Sequence, residues 1–152
     1  MKTIRICHLY GNLLNTYGDN GNLLMIQYYA KEKGYQVETT LISLDDEFVA
    51  ADYDIVFFGG GQDFEQKIIA TNIQKMKDAI SNYIENDGVM LAICGGYQLL
   101  GRYYVNALGE KITGLGVLPH FTERQLNHRF IGDIEIFDEE NQQSYYGFEN
   151  HN

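Results

Sequence analysis

Two apolar runs that stop at glycines most constrain how this chain folds. The first is DIVFFGGG at residues 54–61, and the second is GVMLAIC at 88–94, which two glycines follow. Short apolar runs bounded by turn residues are typical of strands buried on both faces. Between the runs, apolar residues recur at the spacing with which a helix buries one face: Ile69, Ile73, Met76, Ile80 and Tyr83. This order predicts a parallel βαβ unit with a right-handed crossover.

The amino-terminal third shows the same alternation of patterns. Residues 3–9 alternate like a strand, a helical pattern follows the polar turn at 17–21 and ends at Gly34, and residues 35–43 are alternating and β-branched. Together with the βαβ unit, these patterns predict an α/β fold with a mostly parallel sheet.

The chain changes character after Arg102. Alternating runs at 131–137 and 144–149, joined by the acidic turn DEENQQ, predict two strands in a β-rich segment. No repeat, low-complexity tract or Pro/Ser-rich linker divides the sequence. We therefore expect one domain over residues 1–152, and because the sequence stops directly after a strand-like run, we expect that domain to lack its carboxyl-terminal part.

Composition narrows the class of partner. Eleven Lys and Arg against 21 Asp and Glu give a net charge of −10, which argues against nucleic acid and anionic membrane surfaces as partners. No run approaches the roughly 20 apolar residues that cross a bilayer. The start MKTIRICHLYGN lacks a signal-peptide layout, and the two cysteines lie in strand-like settings with no pairing framework. These features predict a cytoplasmic protein.

Cys94 lies where the second apolar run meets a new helical pattern at 95–101. A thiol at a glycine-flanked turn from strand to helix is exposed to the first helical N–H groups, which favour the nucleophilic thiolate and lower the thiol pKa. The N–H of Gly95 would also hold an oxyanion formed at a carbonyl that the sulfur attacks. The alternative is a buried, inert cysteine, which is the usual state of a free thiol.

The other glycine run, in FFGGGQDFEQ at 57–66, ends a neighbouring strand of the predicted sheet. Loops at the carboxyl ends of parallel strands line the functional crevice of such folds. Its backbone amides are candidates for a second set of oxyanion donors, and a simple flexible turn is the alternative. The run lacks the GxxxxGK[ST] pattern of a phosphate-binding loop.

Three stretches, FFGGGQDFEQ, ICGGYQLLG and the tail GFENH, together resemble the class I glutamine amidotransferases of the cobyric-acid-synthase-like branch. Within that branch, HLYGNLLNTYGDNGN and GLGVLPHFTERQLNHRFIGDIEI resemble the glutaminase subunits of the lipid II isoglutaminyl synthases. The similarity covers essentially the whole chain. It implies a flavodoxin-like or Rossmann-like three-layer α/β/α sandwich, in agreement with the pattern of strands and helices.

The resemblance also implies roles for particular residues. Arg129, in LNHRFIGD, matches the position that binds the substrate glutamine, where a guanidinium pairs with the α-carboxylate. Arg124 is the weaker candidate because it lies farther from IGD. The remaining matches are Cys94 as the nucleophile, Gly60 and Gly61 as the oxyanion loop, and Gly95 as the second oxyanion donor.

The chain departs from the family pattern at the general base. The family uses a histidine well beyond GFENH to take the thiol proton and pass it to ammonia. The histidines after Cys94 are His120, His128 and His151, and none matches that position. His151 belongs to GFENH itself and is expected to fix a loop, and His8 is expected to be structural or to line the crevice. We expect the base beyond Asn152 and little activity from this chain alone.

The resemblance implies a glutaminase that hydrolyses L-glutamine to glutamate and ammonia. The implied partner is a Mur-ligase-like, ATP-dependent subunit, which uses the ammonia to amidate the α-carboxyl of D-glutamate in the lipid II stem. No metal or ATP site is visible in the sequence, so no cofactor is expected. Two alternatives stay open: the glutaminase part of a cobyric acid or cobyrinic acid diamide synthase, and a non-catalytic truncated scaffold that only binds its partner.

Overall fold

The computed structural model describes residues 2–16, 19–125 and 129–151. They fall into two compact units, one up to Thr122 and one from Glu123 onward. The first unit begins with the elements β1 (Thr3–Leu9), α1 (Asn20–Glu32), β2 (Gln36–Ile42), β3 (Ile55–Phe58), α2 (Asp63–Asn72), α3 (Lys77–Glu85), β4 (Val89–Ala92) and α4 (Gly95–Leu100). The strands and helices predicted from the sequence are confirmed here to within one or two residues at most ends.

The central sheet has four strands in the order β2-β1-β3-β4, and all neighbouring pairs run parallel. This is the order in which flavodoxin-like sheets begin. β3 and β4 end at the same level, since Phe58 pairs with Ala92. The N–H of Ile93 extends the pairing by donating to the carbonyl of Phe58 at 2.9 Å. The loops that leave these two strands therefore start side by side.

Helices cover both faces of the sheet. On one face, Leu23 of α1 packs with Ile6 and Phe57 in a core cluster. On the other, residues of α2 and α3 join Val56 and Phe58 in a larger cluster. Alternate residues of β3 point to opposite faces, so a strand buried on both sides supplies both clusters. The predicted α/β/α sandwich is confirmed.

The helical pattern between β3 and β4 forms one buried face, but not one helix. All five residues of the predicted stripe are buried, yet a 3₁₀ turn at Ile73–Met76 separates α2 from α3. The turn tightens the backbone where the two helices meet and keeps Ile73 and Met76 against the sheet.

The chain after α4 is β-rich, as predicted. The first unit closes with the antiparallel pair β5 (Tyr103–Val105) and β6 (Lys111–Thr113). The second unit is an antiparallel hairpin of β7 (Phe130–Asp138) and β8 (Gln143–His151). Its turn is the acidic segment between Asp138 and Gln143, where Asp138 accepts hydrogen bonds from the backbone N–H groups of Glu140 and Asn141.

Candidate active site

Cys94 occupies a strained turn between β4 and α4. Its φ is 52° and its ψ is −111°, a left-handed backbone that non-glycine residues rarely adopt. The turn presents the side chain beyond the carboxyl end of the strand, and Cys94 is exposed to solvent. The turn from strand to helix predicted at this cysteine is confirmed.

The glycine two residues after Cys94 makes this turn possible. The N–H of Gly96 is shared between the carbonyls of Gly59 and Ile93, both at 3.0 Å. A Cβ at Gly96 would collide with the carbonyl oxygens of Phe58 and Gly59. The start of α4 therefore lies directly against the end of β3, and this contact brings the cysteine turn next to the glycine loop.

Cys94 opens into a pocket of about 470 Å³. The glycine loop contributes Gly61, and Gln66 and Gln98 form polar walls. The other lining residues are Gln62, Asp63 and Phe64 at the start of α2. Of the three glycines assigned to the oxyanion, Gly61 thus lies in the pocket wall and Gly95 directly follows the cysteine.

Gly60 is held differently from Gly61. Its N–H donates a hydrogen bond to Oδ1 of Asp19 at 3.2 Å, and its carbonyl accepts one from the N–H of Thr16 at 3.3 Å. Asp19 is only 2% exposed, so its carboxylate is a buried acceptor beneath the glycine loop. The Gly60 amide would have to leave Asp19 before it held an oxyanion, and its oxyanion role stays a prediction.

The pKa of the Cys94 thiol lies above its ordinary value. Desolvation by the surrounding protein raises the pKa most, the hydrogen bond from the N–H of Gly95 lowers it, and the negative charge of Asp19 raises it further. The net direction is opposite to the lowering predicted from the helix start. The reason is that α4 has only six residues, and one N–H group does not offset lost hydration. At neutral pH the thiol is protonated, so attack requires a proton acceptor.

Cys7 has no comparable access. It lies within β1 with no exposed surface, and burial raises the pKa of its thiol to about 12. It packs in the core cluster under α2 and α3. Only Cys94 of the two thiols is placed for chemistry.

None of the described histidines lines the pocket of Cys94. The ring of His120 stacks on Tyr97, and its Nε2 lies 2.9 Å from the Tyr97 carbonyl. His151 lies 3.0 Å from the carboxylate of Glu149 within the hairpin, consistent with its expected role of fixing local structure. His128 lies outside the described residues.

His8 is buried at the end of β1. Its ring packs against Phe57 with a centroid distance of 5.4 Å, and a Cβ at Gly11 would collide with it. Burial lowers the pKa of the imidazole, and the charge of Asp19 opposes that effect. Its Nε2 has no hydrogen-bond partner among the described residues. Of the two roles expected for His8, packing is the one these contacts support.

Arg129 lies in the second unit, at the start of the hairpin. Its Nε donates a hydrogen bond to Oδ1 of Asn150 at 2.9 Å, across the β7–β8 pair. This contact orients the guanidinium group relative to the hairpin. The role of Arg129 toward glutamine stays a prediction, as does the weaker candidacy of Arg124.

In the part of the chain that the structure describes, no group of three or more His, Cys, Asp or Glu side chains is arranged to hold a metal ion. Within the same residues, no helix has the length and apolar character required to span a bilayer.

Residues 5–152 match the sequence model of the CobB/CobQ-like glutamine amidotransferase domain. The chain belongs to this glutamine amidotransferase family. The resemblance seen in FFGGGQDFEQ, ICGGYQLLG and GFENH is confirmed.

Curated relatives within the amidotransferase family are named as synthase subunits. The chain is 60% identical, over 97% of its length, to lipid II isoglutaminyl synthase (glutamine-hydrolyzing) subunit GatD of Streptococcus pneumoniae. It is 35% identical, over 99% of its length, to the protein of the same name from Staphylococcus aureus. It spans 57% and 61% of those two proteins. A cobyric acid synthase of a Marinomonas species is 27% identical over 62% of the chain and is covered over 21% of its own length.

The structure adds three residues to the amidotransferase site that the sequence patterns did not single out: Asp19, Gln66 and Gln98. Gln98 had a local signal, since it follows Cys94 by four positions, one helical turn along α4. Asp19 and Gln66 had none, because each acts on residues far away in the sequence.

Proposed function

We propose that this chain is the amino-terminal part of a glutaminase domain, spanning residues 1–152, with Cys94 as its nucleophile. The observation that carries the proposal is the left-handed turn that presents Cys94 into a pocket shared with the glycine loop. The family match and the glutamine-hydrolysing activity in the names of the relatives support the choice of substrate.

The chemistry follows from the placement of the thiol. Sγ of Cys94 bonds to the side-chain amide carbon of L-glutamine, and the amide oxygen becomes an oxyanion. The N–H of Gly95 and the amides of the loop at Gly60 and Gly61 are the proposed oxyanion donors. The C–N bond breaks, ammonia leaves with the proton taken from the thiol, and water hydrolyses the thioester to glutamate and free Cys94.

The raised pKa of Cys94 means that this reaction needs a base to remove the thiol proton. We propose that the base is a histidine beyond Asn152 in the longer protein, because no described histidine lines the pocket. Without such a group, each proton transfer slows by typically 10²–10⁴-fold. In this chain alone, Cys94 is therefore expected to be alkylated by a glutamine analogue, but the chain should release little ammonia from glutamine.

Arg129 is the proposed ligand of the glutamine α-carboxylate. A guanidinium donates two parallel hydrogen bonds to a carboxylate, which fixes both the position and the direction of the substrate. Its hydrogen bond to Asn150 is compatible with this role, since that bond uses Nε and not the terminal guanidinium nitrogens.

We propose that the ammonia passes to a Mur-ligase-like subunit that uses ATP to activate the α-carboxyl of D-glutamate in lipid II. The word subunit in the names of both relatives supports a partner chain. We also propose a cytoplasmic location, which two unpaired cysteines support, since a reducing compartment keeps thiols free.

Two other functions compete with this one. A cobyric acid or cobyrinic acid diamide synthase would use the same glutaminase chemistry, but the cobyric acid synthase match is lower in identity and covers less of the chain. A non-catalytic scaffold is favoured by the absence of a described histidine from the pocket.

Labelling and ammonia release test the proposal together. A diazoketone analogue of glutamine should label Cys94, and glutamine should protect it, whereas Cys94→Ala should not be labelled. Ammonia release should then be compared between this chain and a version extended to the length of the relatives, each with and without the ligase-like subunit. We expect release only from the extended version. Equal turnover by the two would place the base within residues 1–152, and no glutamine-protected labelling would favour the scaffold.

A further inference from the structure

Gln66 is a buried amide in the wall of the candidate active site. It is 2% exposed, and it is the one glutamine among the buried residues of the described chain. Glutamine is rarely fully buried, because its amide loses water on both its donor and its acceptor ends. A buried amide beside a reactive thiol is therefore expected to have specific hydrogen-bond partners.

Two partners of Gln66 belong to the site. Its Nε2 donates a hydrogen bond to Oε1 of Gln98 at 3.3 Å. The same amide packs on Gly95, since a Cβ at Gly95 would collide with Nε2 of Gln66. Gln66 thus touches both the residue that follows Cys94 and the glutamine one helical turn beyond it.

The hydrogen bond from Gln66 engages the acceptor end of the Gln98 amide. An amide side chain has one acceptor oxygen and one NH₂ donor group. Because Gln66 engages Oε1 of Gln98, the Nε2 group of Gln98 is the donor that this side chain can offer to a ligand in the pocket that both residues line. A hydrogen-bond acceptor on the ligand would match it.

We propose that Gln66 is a positioning residue for glutamine. It orients Gln98 so that an N–H of Gln98 meets an acceptor oxygen of the substrate, and it holds the backbone of Gly95 in place next to the thiol. Gln66 itself does not contact the reacting atoms. This inference rests on the proposed function, because it assumes that the ligand of the pocket is glutamine.

The ratio of two labelling rates distinguishes a loss of substrate positioning from a loss of thiol reactivity or of folded protein. The diazoketone analogue of glutamine reports substrate-directed labelling of Cys94, and iodoacetamide reports thiol reactivity alone. Dividing the first rate by the second cancels a change in the thiol pKa or in the folded fraction. We expect Gln66→Met, which keeps the length of the side chain but removes the amide, to lower this ratio about tenfold.

The matched control is Gln74→Met. Gln74 also uses its amide for hydrogen bonds, to the carbonyls of Ala70 and Gly114, but it does not line the pocket. Its ratio should equal that of the wild-type chain. An unchanged ratio in folded Gln66→Met would overturn the proposal.

Gln98→Glu tests the same orientation without disturbing a fully buried position. The carboxylate still accepts the hydrogen bond from Gln66 but presents an acceptor to the pocket, so the ratio should fall at least about tenfold. An unchanged ratio would show that Gln98 does not donate to the ligand, and the proposal would be wrong. If the diazoketone fails to label the wild-type chain with glutamine protection, the proposed function fails instead.

Discussion

The N–H of Gly60 donates a hydrogen bond to the buried carboxylate of Asp19, 41 residues earlier in the chain. The same carboxylate raises the pKa of Cys94 and opposes the lowering of the pKa of His8. A negative charge beneath the glycine loop thus holds the loop and adds to the desolvation that raises the pKa of the thiol. Buried charges that shift the pKa of a neighbouring nucleophile are typical of functional sites.

Asp19→Asn should make Cys94 more reactive near neutral pH. Removing the negative charge favours the thiolate, so the pKa of Cys94 falls and its alkylation profile moves to lower pH. The amide oxygen of Asn keeps an acceptor for the Gly60 N–H. Iodoacetamide rates measured against pH test this expectation. Asp78→Asn, on the exposed surface of α3, is the control for the loss of one negative charge. If the alkylation profiles of both variants shifted equally along the pH axis, Asp19 would have no specific effect on the pKa of Cys94.

Arg129→Ala should weaken glutamine use about tenfold to hundredfold, because a charge-assisted pair with the α-carboxylate is lost. The measurement is kcat/KM for ammonia release in a version of the chain extended to the length of the relatives. Arg129→Lys should recover only part of the loss, since an ammonium does not form the bidentate pair. Arg124→Ala is the control. Wild-type kinetics for Arg129→Ala would rule out the assignment.

Gly96→Ala should damage the site and lower stability by about 1–3 kcal/mol. The new Cβ would collide with the carbonyl oxygens of Phe58 and Gly59. Because these are backbone atoms at the end of β3, the collision is relieved only if that end of the strand moves. Gly21→Ala, in the first turn of α1, is the control, because nothing lies within 4 Å of a Cβ there and alanine has a higher helix propensity than glycine. Urea unfolding and diazoketone labelling of Cys94 measure the two effects. Similar stabilities for the two variants would contradict the close contact at Gly96.

The free energy of unfolding should fall as the pH rises above about 9. Burial raises the pKa of Cys7 to about 12 in the folded chain, so the unfolded thiol loses its proton first. The stability that Cys7 contributes is complete below the unfolded pKa of about 9 and is lost up to the folded pKa. The slope is at most about 1.4 kcal/mol per pH unit for this group.

Urea unfolding of wild-type and Cys7→Ala chains at about pH 8 and pH 10 measures that slope. Cys7→Ala should have a flatter dependence than wild type. Cys94→Ala, which removes an exposed thiol, should change the slope less. A dependence in Cys7→Ala as steep as in wild type would assign the alkaline loss to other groups, such as the buried phenol of Tyr104.

The sequence by itself determined the framework of the site. Apolar runs that stop at glycines, and a helical stripe between them, are local patterns, and each is tied to one kind of backbone. For this reason β3, β4 and the turn at Cys94 were predictable, and so was the hairpin of the second unit. The 3₁₀ turn at Ile73–Met76 was not, because the stripe has the same spacing whether or not the backbone tightens.

Only the tertiary structure decided what surrounds the thiol. The hydrogen bond between Gln66 and Gln98 joins residues 32 positions apart, and that between Asp19 and Gly60 joins residues 41 apart. No local pattern encodes such partners, since they depend on which strands become neighbours in the sheet. The sign of the pKa shift of Cys94 depends in the same way on the atoms that displace water from the sulfur. A helix start in the sequence predicts one favourable N–H, but the desolvation that outweighs it arises only when α2, α4 and the glycine loop pack together.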